Sequence, residues 1–178
     1  MIYLELKPLD GSSAPEFVEL RPWEPRDRQI AATLIGNVLA EYGLGWEPDG
    51  ADRDVLEVEA HYDSGEFWIV ERASEIVGTG AFYAIERSAE ANSSAAEIRK
   101  MYLRADLRGR GLGRQLLAWL EERARDRGYC EAWVETASVL AEAVQLYESA
   151  GYEPATGVET ARCDRVYRKP LATTADSA

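Results

Sequence analysis

The stretch Arg108-Gly-Arg-Gly-Leu-Gly113 constrains this chain more than any other. Glycines at alternate positions open backbone conformations that side chains forbid, and they let a ligand approach the main chain closely. Residues 96–103, just before it, read as a strand. Leu112, Leu116, Leu117, Leu120 and Ala124, just after it, mark one face of a helix that ends near Gly128. The turn therefore opens a helix. The first N–H groups of a helix lack intrahelical partners and stand at the positive end of its dipole. Such a place suits phosphate or pyrophosphate, and Arg108, Arg110 and Arg114 add positive charge.

The alternatives at this point are a glycine-rich turn with no ligand and other phosphate-binding loops. A P-loop needs Gly, four residues, then Gly-Lys-Ser/Thr, and the chain lacks it. The dinucleotide fingerprint is a closer rival, because Glu135 ends the next strand at a suitable distance for a ribose contact. It would need Gly or Ala at position 114, which is Arg. Five residues also separate Leu103 from Gly109, so the first glycine does not follow the strand tightly.

Composition narrows the function classes. A length of 178 residues suits one domain, and 46% hydrophobic with 29% charged residues is ordinary for a folded globular chain. A formal charge of −12 argues against coating nucleic acid, which needs a basic surface. The charge is uneven. Residues 1–98 hold 7 Lys+Arg against 20 Asp+Glu, residues 99–129 hold 9 against 4, and residues 130–178 hold 4 against 8. One basic island sits in an acidic chain. It is read either as a solvated helix face of mixed charge or as the seat of a small anionic ligand. Cys130 and Cys163 show no metal-ligand spacing, so no metal is expected. No apolar run approaches a membrane span, and the first residues lack the form of a signal peptide. A cytoplasmic protein that binds neither membrane nor nucleic acid is the expectation.

Along the chain, residues 1–16 read as a short strand and loop or as a loose arm. Phe17 to Arg21 reads as a strand closed by Pro22. Pro25 and Asp27 open a helix carrying Ile30, Ala31, Leu34, Ile35, Val38 and Leu39, which Gly43 ends. Asp52 is a candidate cap for a second helix with Val55, Leu56 and Val58. Residues 67–70 and 76–83 read as strands joined by a turn at 73–75, and 88–95 as a loop of small residues. A strand over 130–136, a helix over 140–150 and a final hairpin of 152–155 with 162–168 complete the pattern. The expected class is α/β, with a central mixed sheet flanked by about four helices. The expected organisation is an extension over 1–16, a domain over 17–170 and a flexible tail over 171–178.

Arg108-x-x-Gly111-x-Gly113, after a strand and opening an amphipathic helix, resembles the acyl-CoA-binding motif of the GNAT (Gcn-related) N-acetyltransferase superfamily. Glu97-Ile-Arg-Lys-Met-Tyr-Leu103 is similar to the strand that precedes it in that family. Leu140 to Pro154, with Ala143, Leu146-Tyr147 and Gly151-Tyr152, resembles the family's next motif, a helix carrying a tyrosine before a glycine-aromatic turn. Two motifs in the right order are specific, and the likeness runs from Phe17 to Arg168.

The resemblance implies acetyl-CoA as co-substrate. Its pyrophosphate would lie on the loop of Arg108, Gly109, Arg110, Gly111, Leu112 and Gly113, touched mainly by backbone N–H groups, with Arg108 and Arg114 supplying charge. Met101, Tyr102 and Leu103 would pair with the pantetheine arm as an added strand does. An N–H near Met101 would face the thioester oxygen, where negative charge grows. Tyr147 matches the tyrosine near the coenzyme sulfur, a general acid for the departing thiolate; the rival reading makes it a core contact. Glu97 matches a position used as a base in some members, often through water; the rival reading pairs it with Arg99. Glu135 and Asp164 are weaker candidates. His61, the only histidine, reads as structural or exposed, and Cys163 has no paired base for a covalent route.

In this family the first helices and the final hairpin wall the acceptor site. Tyr42, Trp46, Tyr83 and Asp164, with Glu41, Glu47, Asp49 and Asp52 nearby, would suit a cationic amine. The implied function is transfer of acetyl from acetyl-CoA to a primary amine of a small molecule or peptide, by direct attack in a ternary complex. A non-catalytic acyl-CoA-binding module of the same fold is the alternative. The family's final strands often pair between chains, so a homodimer is also an expectation.

Overall fold

The computed structural model describes residues 2–8, 15–87 and 94–171. Eight strands form one sheet in the order β1-β2-β3-β4-β5-β6-β8-β7. They are β1 (Ile2–Leu6), β2 (Glu16–Pro22), β3 (Glu66–Arg72), β4 (Glu75–Ile85), β5 (Ala95–Leu103), β6 (Glu131–Thr136), β7 (Glu153–Pro154) and β8 (Arg165–Pro170). The helices are α1 (Arg28–Glu41), α2 (Arg53–Leu56), α3 (Val58–His61), α4 (Leu112–Asp126) and α5 (Ala141–Ser149). The β5–β6 pair is parallel and every other pair is antiparallel. This is the mixed α/β arrangement that the periodicity predicts.

Alternation of side chains across β4 decides which helix covers which face. Ala81 meets Ala31 of α1, together with Ile69 of β3. Phe82 meets the apolar stripe of α4, with Leu112, Leu116, Leu117 and Leu120. Gly80 lets α4 come close, since a Cβ there would lie 3.0 Å from Leu120 Cδ1. The turn after β3 places Ala73 and Ser74 at φ +50° and +68°, the twist a tight hairpin needs.

Several expectations change. Residues 2–6, read as a strand or a loose arm, are an edge strand of this same sheet, and Leu6 is fully buried. The second helix is split into two single turns, because Glu57 leaves helical geometry (φ −129°, ψ 43°). Asp52 precedes α2 but its carboxylate does not cap it; that carboxylate turns inward. The tail does not begin at 171: Leu171 is buried and its N–H donates to Cys130 O at 2.7 Å. The remainder, 172–178, lies outside the described residues, as does most of the 88–95 loop.

Candidate active site

The parallel pairing of β5 and β6 covers only Ala95, Ala96 and Glu97 against Glu131, Ala132 and Trp133. Beyond that, β6 continues in register with β8 while β5 departs, so a cleft opens between the two parallel strands. Its walls are β5 from Glu97 to Tyr102, the end of β6 at Glu135 and Thr136, and α5 at Ala143 and Tyr147. Thr160, Arg162 and Cys163, from the segment before β8, close one end, and Leu39 and Leu44 from the end of α1 line another part.

Within β5, Lys100 adopts φ +55°, a left-handed conformation that is costly for a residue with a side chain. The β4–β5 register shifts there, from Thr79↔Tyr102 to Ala81↔Arg99, so β5 carries an extra residue. The Lys100 carbonyl accepts from Thr79 Oγ1 at 2.7 Å. The Lys100 ammonium, also buried, donates to Ala51 O at 2.7 Å and Asp52 Oδ1 at 2.7 Å, and lies 3.1 Å from Asp54 Oδ1. These oxygens hold the strained residue in place. Burial lowers the Lys100 pKa, and Asp54 and Asp52 only partly offset it.

Asp52 is the centre of this network. It is 0% exposed, and besides Lys100 it accepts from both terminal nitrogens of Arg162, at 2.6 and 2.7 Å, and from Glu47 N at 3.0 Å. Burial opposes its charge, yet Arg162 and Lys100 outweigh burial and hold its carboxyl down at about 2. Asp54 accepts from Tyr62 OH at 2.6 Å and lies 3.2 Å from Arg99 Nε. The sequence points to Arg99 only as a partner of Glu97, and to neither Lys100 nor Arg162 as a member of this network. A signal existed in Arg-Lys inside an apolar strand, where charged side chains are rarely tolerated unless paired.

Glu97 and Tyr147 both face the cleft. Glu97 is 7% exposed; burial raises its pKa against the opposing field of Arg99, with Glu135 adding to the rise. Its carboxylate lies 3.5 Å from Tyr83 OH and 3.8 Å from Arg99 Nη1, so the expected Arg99 pair is long. Glu135 is committed elsewhere. It accepts from Glu159 N at 2.9 Å, Thr160 N at 2.8 Å and Arg87 Nη2 at 3.0 Å, and its pKa falls despite burial. Tyr147 is 6% exposed, and its hydroxyl has no hydrogen-bond partner among the described residues. Burial, with Tyr102 and Cys163, raises its pKa and keeps it protonated.

The glycine loop follows β5 through a single 3-10 turn, Ala105–Leu107. Gly109 and Gly111 take φ +70° and +82°, which explains both glycines. Their surroundings differ from expectation. A Cβ on Gly109 would meet nothing within 4 Å, leaving room for a ligand there. A Cβ on Gly111 would lie 3.2 Å from Lys7 Cε, and one on Gly113 would lie 3.5 Å from Leu146 Cδ2. Gly111 thus sits tightly against Lys7, whereas the contact at Gly113 would be an ordinary one. Arg108 braces the loop: Nε donates to Leu103 O at 2.8 Å and Nη1 to Glu41 Oε2 at 2.6 Å, while Nη2 is buried without a partner. The side chain of Arg110 turns away, to Lys7 O at 2.9 Å and Glu16 Oε2 at 2.7 Å, leaving only its backbone for a ligand. Arg114 reaches Ser149 Oγ at 2.7 Å.

The acceptor residues scatter. Tyr42 OH lies 3.2 Å from Arg108 Nη1, on the loop side. Trp46 packs on Ile35, Leu39 and Val55 with Tyr102. Tyr83 bonds Arg99 and Glu97 at the cleft's edge. Asp164 is exposed and accepts from Ser138 N and Oγ, each at 2.6 Å, which fixes the turn before α5. His61 is exposed, 3.3 Å from Oε2 of Glu57, the residue just before α3. Cys163 lines the cleft, but burial, with Glu135, pushes its thiol up to about 11. Among the described residues no group of His, Cys, Asp and Glu is arranged to hold a metal ion, and no helix is long and apolar enough to cross a membrane.

A sheet that splits between two parallel strands, with a glycine loop and helix start beside the split, defines an acyltransferase-like architecture. Residues 19–152 match the family model described as the acetyltransferase (GNAT) family, and the chain belongs to that family. It is 33% identical over 144 residues to an uncharacterized N-acetyltransferase, YjgM, of Escherichia coli (strain K12), covering 79% of this chain and 84% of that protein. A GNAT-family acetyltransferase from Staphylococcus aureus Mu50 superposes with a TM-score of 0.78 at 16% identity, over 87% of this chain and 99% of that one. The structure of yncA from Salmonella typhimurium with its cofactor acetyl-CoA superposes with a TM-score of 0.65 at 20% identity, over 87% and 94% of the two chains.

Proposed function

We propose that the protein is an acetyl-CoA-dependent N-acetyltransferase acting on a primary amine of a small molecule or peptide. The observation that carries this reading is Tyr147, a buried ring at the wall of the cleft whose hydroxyl makes no hydrogen bond to another described residue and is not among the buried unpartnered atoms. A hydroxyl left open to the cleft is available to a coenzyme sulfur bound there. The naming of YjgM as an N-acetyltransferase and the acetyl-CoA in yncA support the same assignment.

Acetyl-CoA, when bound, supplies an activated acetyl thioester. The loop residues Arg108 to Gly113, with Arg114, would hold its pyrophosphate, the open side of Gly109 and the unpaired Arg108 Nη2 being the features that fit. Met101, Tyr102 and Leu103 lie on the part of β5 that β6 leaves unpaired, where an extended ligand would pair, although the Leu103 carbonyl already accepts from Arg108 Nε. Glu97, with its raised pKa, takes the proton of the incoming ammonium directly or through one water, and so frees the lone pair that attacks. As the tetrahedral adduct collapses and its C–S bond breaks, Tyr147 donates its proton to the departing sulfur; the second proton, lost by the attacking nitrogen, goes to Tyr147 directly or through water, and Glu97 releases its own proton to solvent. Cys163, held as a thiol, takes no part, and transfer is direct.

The test is release of free coenzyme thiol from acetyl-CoA with a panel of primary amines: amino acids, polyamines, aminoglycosides and peptides. Thiol release with one class identifies the acceptor. Coenzyme binding without release on any amine would favour a non-catalytic acyl-CoA-binding module.

A further inference from the structure

We propose that Lys7, from the edge strand ahead of the family-matched region, binds a phosphate of the coenzyme. This rests on the acetyl-CoA reading above.

The main chain of Lys7 is clipped to the glycine loop: its N–H donates to Arg110 O at 3.0 Å, and its carbonyl accepts from Arg110 Nε at 2.9 Å. Arg110 is buried and pairs with Glu16 Oε2 at 2.7 Å, so the clip is anchored at the start of β2. On the other side, the Gln115 amide of α4 brackets the strand, donating to Glu5 O at 2.6 Å and accepting from Glu5 N at 3.2 Å. The backbone at Lys7 is therefore fixed against the loop and the first turn of α4. Its side chain runs along Gly111. From the point where a Gly111 Cβ would sit, Cγ, Cδ and Cε lie at 3.6, 3.4 and 3.2 Å, so the chain approaches the loop toward its tip. The ammonium follows one bond later; the Lys7 side chain is exposed and makes no ion pair with another described residue.

That lack of a partner is unusual in this neighbourhood. Arg104, Arg108 and Arg110 all have carboxylate partners. Among the described residues, Lys7 thus brings an unpaired cation to the edge of a loop whose own arginines are largely spent. A phosphate oxygen is the chemistry that a lysine at a helix start recognises. The family model matches residues 19–152, so Lys7 lies outside the matched region.

The test is calorimetric binding of coenzyme A and of 3′-dephospho-coenzyme A to wild type, Lys7→Met and Lys7→Arg, with thermal melting of the unliganded proteins. Methionine keeps the apolar stem over Gly111 and removes the charge. Lys7→Met is expected to bind coenzyme A about five- to tenfold more weakly, with an unchanged melting temperature, and Lys7→Arg to recover most of the loss. The weakening disappears with 3′-dephospho-coenzyme A if the 3′-phosphate is the contact, and persists if the pyrophosphate is. Equal affinity of Lys7→Met and wild type overturns the inference while leaving the coenzyme reading intact. A lower melting temperature alongside weaker binding, with no rescue by arginine, also overturns it, since the strand then acts through shape. Failure of wild type to bind coenzyme A at all would reject the coenzyme reading itself.

Discussion

Arg162 grips the carboxylate of Asp52 with both terminal nitrogens, at 2.6 and 2.7 Å, across 110 residues of sequence. The pair joins the segment after α1 to the segment before β8, and through Lys100 it ties both to the bulge in β5. Two segments that border the cleft are thereby fixed to the strand that forms its wall.

Removing Asp52 should be severe. Asp52→Ala leaves Lys100 and Arg162 as buried cations short of a counter-charge, and breaking a buried ion pair this way costs about 3–5 kcal/mol. Urea unfolding should show that loss as a lower midpoint with an unchanged slope. A loss under 1 kcal/mol would mean that the network is solvated in solution.

The same carboxylate makes stability fall in acid. Its pKa is held at about 2, below its ordinary 3.8. A depressed carboxylate stabilises the fold above its unfolded pKa, and the gain drains away as pH falls toward the folded value. Asp52 should therefore contribute about 2 kcal/mol above pH 4 and lose it between pH 4 and 2. Acid titration of the Asp52→Asn variant should lack this component.

Tyr147→Phe should slow turnover on the order of a hundredfold and leave coenzyme affinity nearly unchanged. The ring stays packed against Tyr152, and only the unpartnered hydroxyl goes. Steady-state kinetics beside direct coenzyme binding separates the two quantities. Unchanged turnover would return Tyr147 to a packing role.

As the proposed base, Glu97 would act only when ionised, and burial raises its pKa. The acid limb of kcat/KM should thus lie above the usual carboxylate range, with activity falling as pH drops through it. Glu97→Gln should remove this limb and lower kcat. An unaltered pH profile would assign the base elsewhere.

Cys163 lies in the cleft as a protonated thiol, its pKa pushed up to about 11. Cys163→Ala should keep turnover within a few-fold of wild type, and mass spectrometry should find no acetyl group on the protein after acetyl-CoA alone. A trapped acetyl on Cys163 would reject direct transfer.

Much of the fold is legible in the sequence because its signals are local. The leucine stripe of α4, the alternation in β3 and β4, and the glycines at 109 and 111 each reflect a nearby backbone requirement. The family likeness reaches Glu97 and Tyr147 through the same local patterns, and both line the cleft. Tyr42, Trp46 and Asp164 come to rest apart from one another. Their positions depend on where α1 and the β7–β8 segment come to rest, which no short window encodes.

The basic island shows the division most clearly. By itself the sequence determined that residues 99–129 are positive and the first 98 are acidic. Only the tertiary structure decided what that asymmetry is for. Arg99, Lys100, Arg104, Arg108, Arg110, Arg123 and Arg127 each reach a carboxylate from the acidic part. Most of the island neutralises the chain's own first half rather than waiting for a polyanion. The reason is physical: an ion pair depends on distance in space, and Arg110 with Glu16 or Arg162 with Asp52 become neighbours only when the sheet brings them together.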